Sequence, residues 1–190
     1  MGKGTIVRDV LARIPEALVL SVSATTRPPR PTEVNQVDYF FVDGAEFDRM
    51  IEAGELLEWA EVFNRHRYGT LAGSVRDHLD AERDVILEID VEGARQIREQ
   101  LPEAVMILLV PPSMEELERR LRSRATENDG SIAERLAKAR WELEQRDLFD
   151  QVVTNDDLER ASSQVAAIIE ASRSPGSQAA DDDPTEDPSA

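Results

Sequence analysis

Arg27 and Arg30 stand three residues apart in the segment SVSATTRPPRPTEVNQVDYFF, residues 21–41. Pro28, Pro29 and Pro31 deny the segment a helix and hold it extended. Two guanidinium forks on a stiff loop suit a phosphate, because a planar fork donates in pairs to its oxygens. Ser21, Ser23, Thr25 and Thr26 bring hydroxyls just ahead of the arginines, and Tyr39 heads an aromatic stretch behind them. Taken alone, the same residues also read as a solvated basic turn.

Four further pieces carry chemistry. Glu58 sits where a strand would more easily hold an apolar residue. Guanine presents two adjacent N–H donors on its Watson–Crick edge, and one carboxylate can accept both; a solvent-facing strand glutamate is the competing reading. Tyr68-Gly69-Thr70 places a phenol and a hydroxyl around a glycine that permits close ligand approach, although by itself it resembles any turn. Asp90 ends the apolar run 85–89, where parallel sheets gather their ligands, with Glu88 two residues behind it. Arg119, Arg120, Arg122, Arg124 and Arg135 bracket an Asn-Asp-Gly turn, an arrangement suited to a mobile lid over phosphates. The N-terminus, Met1-Gly2-Lys3-Gly4-Thr5, looks like the tail of a phosphate-binding loop running into a helix.

Periodicity supplies the scaffold. Apolar residues at 6, 7, 10, 11 and 14 predict a helix over 5–14, closed by Pro15. Strands are expected at 17–22, 38–42, 56–63, 85–89, 104–110 and 150–155. Helices are expected at 44–53, 73–82, 92–100, 114–122, 131–147 and 157–172. Asp43 with Glu46, Ser113 with Glu116, and Ser131 with Glu134 have capping-box spacing. Alternating strands and helices, with the continuously apolar AVMILLV at 104–110, argue for a parallel α/β sheet covered on both faces.

Composition narrows the function. A net charge of −17, from 39 acids and 22 bases, disfavours nucleic acid as a partner. No apolar run is long enough to span a membrane. The absence of cysteine excludes disulfides and thiol chemistry and fits a cytoplasmic protein. From Ser174 onward the chain has five acids, no base and three prolines, so 174–190 is expected to be a disordered acidic tail.

Read in order, SVSATTRPPRP…DYFFV, LLEWAEV, YGT, LEIDVEGARQI, LLVPPS, LERRLRSR and VVTNDDL resemble guanylate kinases, from Gly2 to about Ser172. The resemblance implies the parallel sheet of P-loop nucleoside-monophosphate kinases, with a small mixed GMP-binding insertion and a helical lid. It divides 1–173 into a core (1–26 and 84–173), a GMP-binding region near 27–83 and a lid near 119–146. It further implies phosphoryl transfer from ATP to GMP with Mg2+. Arg27, Arg30, Tyr39 and Tyr68 would hold the GMP phosphate. Ser23, Glu58 and Thr70, with Gly69 between the last pair, would read guanine, and Asp90 would stand beside the acceptor. Gly2, Lys3, Gly4, Thr5 and Asn155 would take ATP, with Thr5 and Asp90 facing the metal through water. Lys3, Arg30, Arg120, Arg124 and Arg135 would carry the catalysis.

The chain departs from the family pattern in places. The lid's usual arginine-glycine-threonine is Arg124-Ala125-Thr126, Thr32 and Gln36 replace glycines, and residues 63–67 lengthen a turn. The first core strand and the front of the phosphate loop are expected upstream of Met1. Without them, the alternative is a guanylate-kinase-like module that binds GMP or a phosphopeptide and does not turn over.

Overall fold

The computed structural model describes residues 2–62, 65–123 and 129–173, the stretch 129–131 by its backbone alone. The first half runs α1 (Lys3–Arg13), β1 (Leu18–Leu20), β2 (Ser23–Thr25), β3 (Phe40–Phe41), α2 (Gly44–Glu52), β4 (Leu56–Val62), β5 (His66–Leu71) and α3 (Ala72–Asp80). The second half runs β6 (Asp84–Ile86), α4 (Val91–Gln100), β7 (Ile107–Val110), α5 (Met114–Arg122), α6 (Asp129–Glu144), a short 3-10 turn, β8 (Gln151–Thr154) and α7 (Leu158–Arg173). The α/β class expected from the alternation is the one observed.

Two parallel pairs form the core. β1 lies beside β6, with Leu18 opposite Asp84, and β7 beside β8, with Ile107 opposite Gln151. Side-chain alternation splits their apolar residues between two faces. Ile86, Ile107 and Leu109 pack with α1 and α7 around Ile6, Val10, Ala161 and Val165. Val85, Leu87 and Met106 face α3 and α4 around Val75, Ala94 and Ile97. No ladder joins β6 to β7 among the described residues. A cavity of about 520 Å3 opens between them instead, walled by Val85, Leu87, Met106 and Ile107. The parallel strands thus form two pairs, and the break falls between β6 and β7.

The second layer is a four-stranded sheet in the order β3-β2-β5-β4. It is mixed: β2 runs parallel to β3 and antiparallel to β5, which is antiparallel to β4. α2 closes one face through Phe47 and Met50, packed on Ala24 of β2. α5 and α6 form a separate helical pair, with Leu117 and Leu121 against Ile132, Leu136 and Ala139.

Several local expectations need correction. Tyr68-Gly69-Thr70 is no turn; it lies inside β5, and β2 is a further strand beyond the six expected. The expected 38–42 and 104–110 strands shrink to Phe40–Phe41 and Ile107–Val110. A ladder lasts only as long as its partner, and these segments have one neighbour each. The capping boxes at α2 and α5 form by half. Asp43 and Ser113 accept the amides of Glu46 and Glu116, at 2.8 and 3.1 Å. The glutamates do not return the bond, because Glu46 takes Arg49 while Glu116 takes Arg119 and Arg120; a charge-assisted bond outcompetes a neutral amide. α6 begins at Asp129, ahead of the expected Ser131. Gln36, where the resembled family has glycine, holds a left-handed backbone with φ 66°, a strain of roughly 1 kcal/mol for a side-chain-bearing residue. Arg124, residues 63–64 and the expected tail at 174–190 lie outside the described residues.

Candidate functional site

A cavity of about 260 Å3 opens where the mixed sheet meets the carboxyl end of β6. Ser23, Tyr39, Glu58 and Tyr68 line it from the mixed-sheet side. Lys3, Glu88, Asp90 and Lys138 line it from the core and α6. Strand pairing explains the first group. Ser23 of β2 and Glu58 of β4 both stand opposite Thr70 of the central β5, so three neighbouring strands turn these side chains to one face.

Glu58 is buried, at 5% exposure, and its Oε1 accepts the Thr70 hydroxyl at 2.6 Å. Burial pushes its carboxyl up to about 6, with the Asp90 charge adding to the rise and the Thr70 bond opposing it. A carboxylate kept in so dry a place is suited to accept a ligand's N–H pair. Gly69 faces the other way. A Cβ there would meet the Glu58 carbonyl oxygen at 3.0 Å and Trp59 Cβ at 3.2 Å, so its bareness serves strand packing and not the close ligand approach expected of it.

Arg27 lies over the Tyr39 ring, 5.3 Å from its centre, and Tyr39 meets Tyr68 edge-on at 6.0 Å. Burial raises the Tyr39 phenol. The Arg27 fork is already engaged: both terminal nitrogens donate to Glu33, each at 2.9 Å. That contact raises Arg27 and lowers Glu33. Arg30 gives its backbone amide to the same carboxylate at 2.7 Å, while its side chain stays 71% exposed with a long 3.4 Å contact to Glu33. Nothing in the sequence singles out Glu33. It clasps both arginines and lies within three residues of Arg30.

The helix start at the core is held differently. Gly2, with φ 75°, opens α1 and accepts the amides of Thr5 and Ile6 at 3.1 Å. Lys3 turns its ammonium to the Ile89 carbonyl at 2.7 Å, beside Asp90. Asn155, buried after β8, abuts Gly2, where a Cβ would stand 3.0 Å from its Nδ2. Arg120 donates to the Asn155 carbonyl at 3.0 Å and to Glu116 at 2.7 Å, so it braces this corner away from the smaller cavity. Arg135 is half-buried on α6. Thr5 is exposed at the helix start and Gly4 lies near the Glu88 carboxylate.

Asp90 has two tasks. Its Oδ1 caps α4 by accepting the Gly93 amide at 3.1 Å, and its Oδ2 takes Lys138 at 2.7 Å. In the sequence Lys138 carries no signal, since a lone lysine among Ala, Arg and Glu reads as solvated. Its spacing of three from Arg135 puts both cations on one side of α6. Glu142, one turn further along, has its carboxyl raised by burial, against the pull of Lys138 and Lys3. Thr70 stands behind Glu58, and Ser23, Tyr39, Glu58, Tyr68 and Asp90 thus gather around one cavity with Lys3. Arg27 borders it, Arg30 faces solvent, and Arg120 and Asn155 belong to the Gly2 corner.

No group of three or more metal-ligating side chains occurs among the described residues. No described helix is long and apolar enough to cross a membrane.

Comparison with known proteins supplies the family. The guanylate kinase family model matches residues 1–172. The guanylate kinase of Nocardia farcinica is 53% identical over 170 residues, spanning 89% of this chain and 88% of that protein. That of Thermosynechococcus vestitus is 52% identical over 161 residues, spanning 85% and 83%. The crystal structure of guanylate kinase from Anaplasma phagocytophilum superposes with a TM-score of 0.74 at 35% identity, covering 89% of this chain and 80% of that one. The chain belongs to the guanylate kinase family.

Proposed function

We propose that this chain transfers the terminal phosphoryl group of ATP to GMP, giving ADP and GDP. The observation that carries the reading is the buried Glu58–Thr70 pair opening into a cavity ringed by Tyr39, Tyr68 and Lys3. Guanine would lay its N1–H and exocyclic amine on the Glu58 carboxylate, with Ser23 and Thr70 completing the polar edge. The acceptor phosphate would then lie toward Tyr39, Tyr68 and Arg27, with Arg30 swinging in from solvent. Lys3, at the start of α1, would meet the ATP phosphates, with Gly2, Gly4 and Thr5 offering the helix terminus and Asn155 closing the far side. Arg120, Arg124 and Arg135 would act from α5, α6 and their junction on the charge that builds during transfer.

Magnesium fits the residues present. It favours one or two carboxylate or hydroxyl oxygens plus water and substrate phosphates, and Asp90 and Thr5 are oxygen donors of that kind. When bound it would neutralise phosphate charge and orient the donor. The chain's own residues would do the rest: hold guanine, align the two phosphates and keep the acceptor charge paired.

A coupled ADP-release assay with MgATP decides the matter. Turnover with GMP and little with AMP, CMP or UMP is expected. A second reading, a silent GMP-binding module, is favoured by the Lys3 ammonium resting on a backbone carbonyl and by Arg27 being taken up by Glu33. GMP binding by calorimetry without ADP release would establish that reading, and neither binding nor turnover would end both.

A further inference from the structure

We propose that Gly93 is a specificity-positioning residue: its missing side chain is the space in which the Glu58 carboxylate sits. This rests on the guanine-reading role of Glu58 argued above. Gly93 is buried in the first turn of α4, and a Cβ there would stand 3.0 Å from Glu58 Cδ and closer still to Oε2. Ile89 Cβ lies 3.2 Å away on another side, so the methyl has no slack to turn into.

A collision at the end of a flexible side chain is usually relieved cheaply, but four ties prevent that here. The helix cannot back away from β4, because Gln96, one turn on, grips the strand backbone. It accepts the Trp59 amide at 3.1 Å and donates to the Trp59 carbonyl at 2.7 Å. Gln100 adds a bond to the Leu57 carbonyl at 2.7 Å. The Gly93 amide is itself bound to Asp90, which fixes the first turn. On the other side, Glu58 is anchored through Oε1 to Thr70. The strain therefore falls on Oε2, which must swing toward the cavity or drag Oε1 off Thr70. Either motion spoils the paired acceptors that a guanine edge needs.

Helix propensity points the opposite way. Alanine is the better helix former, so on backbone grounds Gly93→Ala should strengthen α4. The two effects separate in a double-mutant cycle read by GMP calorimetry and by discrimination against inosine monophosphate, which lacks the exocyclic amine. Gly93→Ala is expected to weaken GMP binding at least tenfold and to reduce the GMP preference by a similar factor. In a Glu58→Ala background, where no carboxylate remains to be displaced, Gly93→Ala should leave the GMP Kd within about twofold. Should Gly93→Ala melt far below the parent, adding Glu58→Ala is expected to restore Tm, since the collision partner is gone.

Wild-type affinity and discrimination in Gly93→Ala overturn the inference, as does an equal loss of affinity in the Glu58→Ala background or a double variant as unstable as the single. A parent protein that binds GMP no better than inosine monophosphate, or a Glu58→Ala variant that binds GMP as the parent does, removes the guanine reading and this inference with it. The first set of outcomes leaves that reading standing.

Discussion

The mixed sheet and the parallel core hold their chemistry by different means. In the mixed sheet, β5 is paired on both edges, and the candidate recognition residues stand on directly facing strands: Ser23 and Glu58 both oppose Thr70. A ladder on each side fixes such side chains through backbone register. In the core, the candidate donor-side residues sit at element ends. Gly2, Asn155 and Arg120 hold one another by contact across a start of α1, an end of β8 and the flank of α5. Behind them the parallel pairs stand apart around the cavity of about 520 Å3. The proposed acceptor recognition is thus built into a continuous sheet, while the proposed donor corner depends on how well separate elements stay together.

The sharpest way to break that contrast is to remove one charge from the sheet. Glu58→Gln keeps shape and the option of a bond to Thr70, but replaces one acceptor oxygen by a donor that faces guanine's own donors. An expected loss on the order of 10²–10³-fold in kcat/KM for GMP follows from an unpaired buried donor and a lost charge-assisted bond. The melting temperature should not fall, because a buried charge has been removed while a bond to Thr70 stays possible. Steady-state kinetics alongside calorimetric melting check both parts. Unchanged GMP kinetics would show that the continuous sheet does not read the base.

Residues whose types carry chemistry were legible without coordinates: Arg27, Tyr39, Glu58, Asp90 and Lys3 all stand at or beside one cavity. Their partners were not. Glu33 in a proline-rich loop and Lys138 on a charged helix face look solvated in one dimension, and only folding brings them to Arg27 and Asp90. Helices were read to within a few residues because their apolar period repeats. β5 was hidden, since a central glycine after a basic run imitates a turn, whereas Gly69 is bare to let β4 approach.

A smaller effect comes from titrating the same carboxylate. Its folded value of about 6 exceeds the ordinary 4.5 because of burial. Between those values the native protein keeps a proton that the unfolded chain has released, so stability declines as pH rises through this window. The group's contribution is fullest below pH 4.5 and is lost above about 6, a difference of roughly 2 kcal/mol. Recognition has the opposite sign, since only the ionised form accepts two N–H groups. At pH 5 about a tenth of it is ionised, so kcat/KM for GMP should be about tenfold lower than at pH 7. The GMP phosphate titrates in a similar range, near pH 6. Glu58→Gln retains that component and loses the carboxyl one, so the two pH profiles should differ; profiles that superpose would assign the whole dependence to the phosphate.

The weakest perturbation, amide exchange with no substitution at all, tests the other half. Asp84 donates to Ala17 at 2.8 Å and Ile86 accepts from Ser21 at 3.0 Å, so these residues face β1. Met106 and Val110 accept from Gln151 and Asn155, at 3.1 and 2.8 Å, so these face β8. Strand alternation then turns the amides of Val85, Ile107 and Leu109 toward the cavity edge. Gly69 and Thr70, by contrast, belong to a strand laddered on both sides. Native-state exchange followed by NMR should find the cavity-edge amides opening with low local free energy, at least about 100-fold faster than Gly69 and Thr70. Equal protection in the two groups would mean that β6 and β7 have edge partners in solution. The donor corner would then rest on a continuous sheet as the acceptor side does, and the contrast between the halves would disappear.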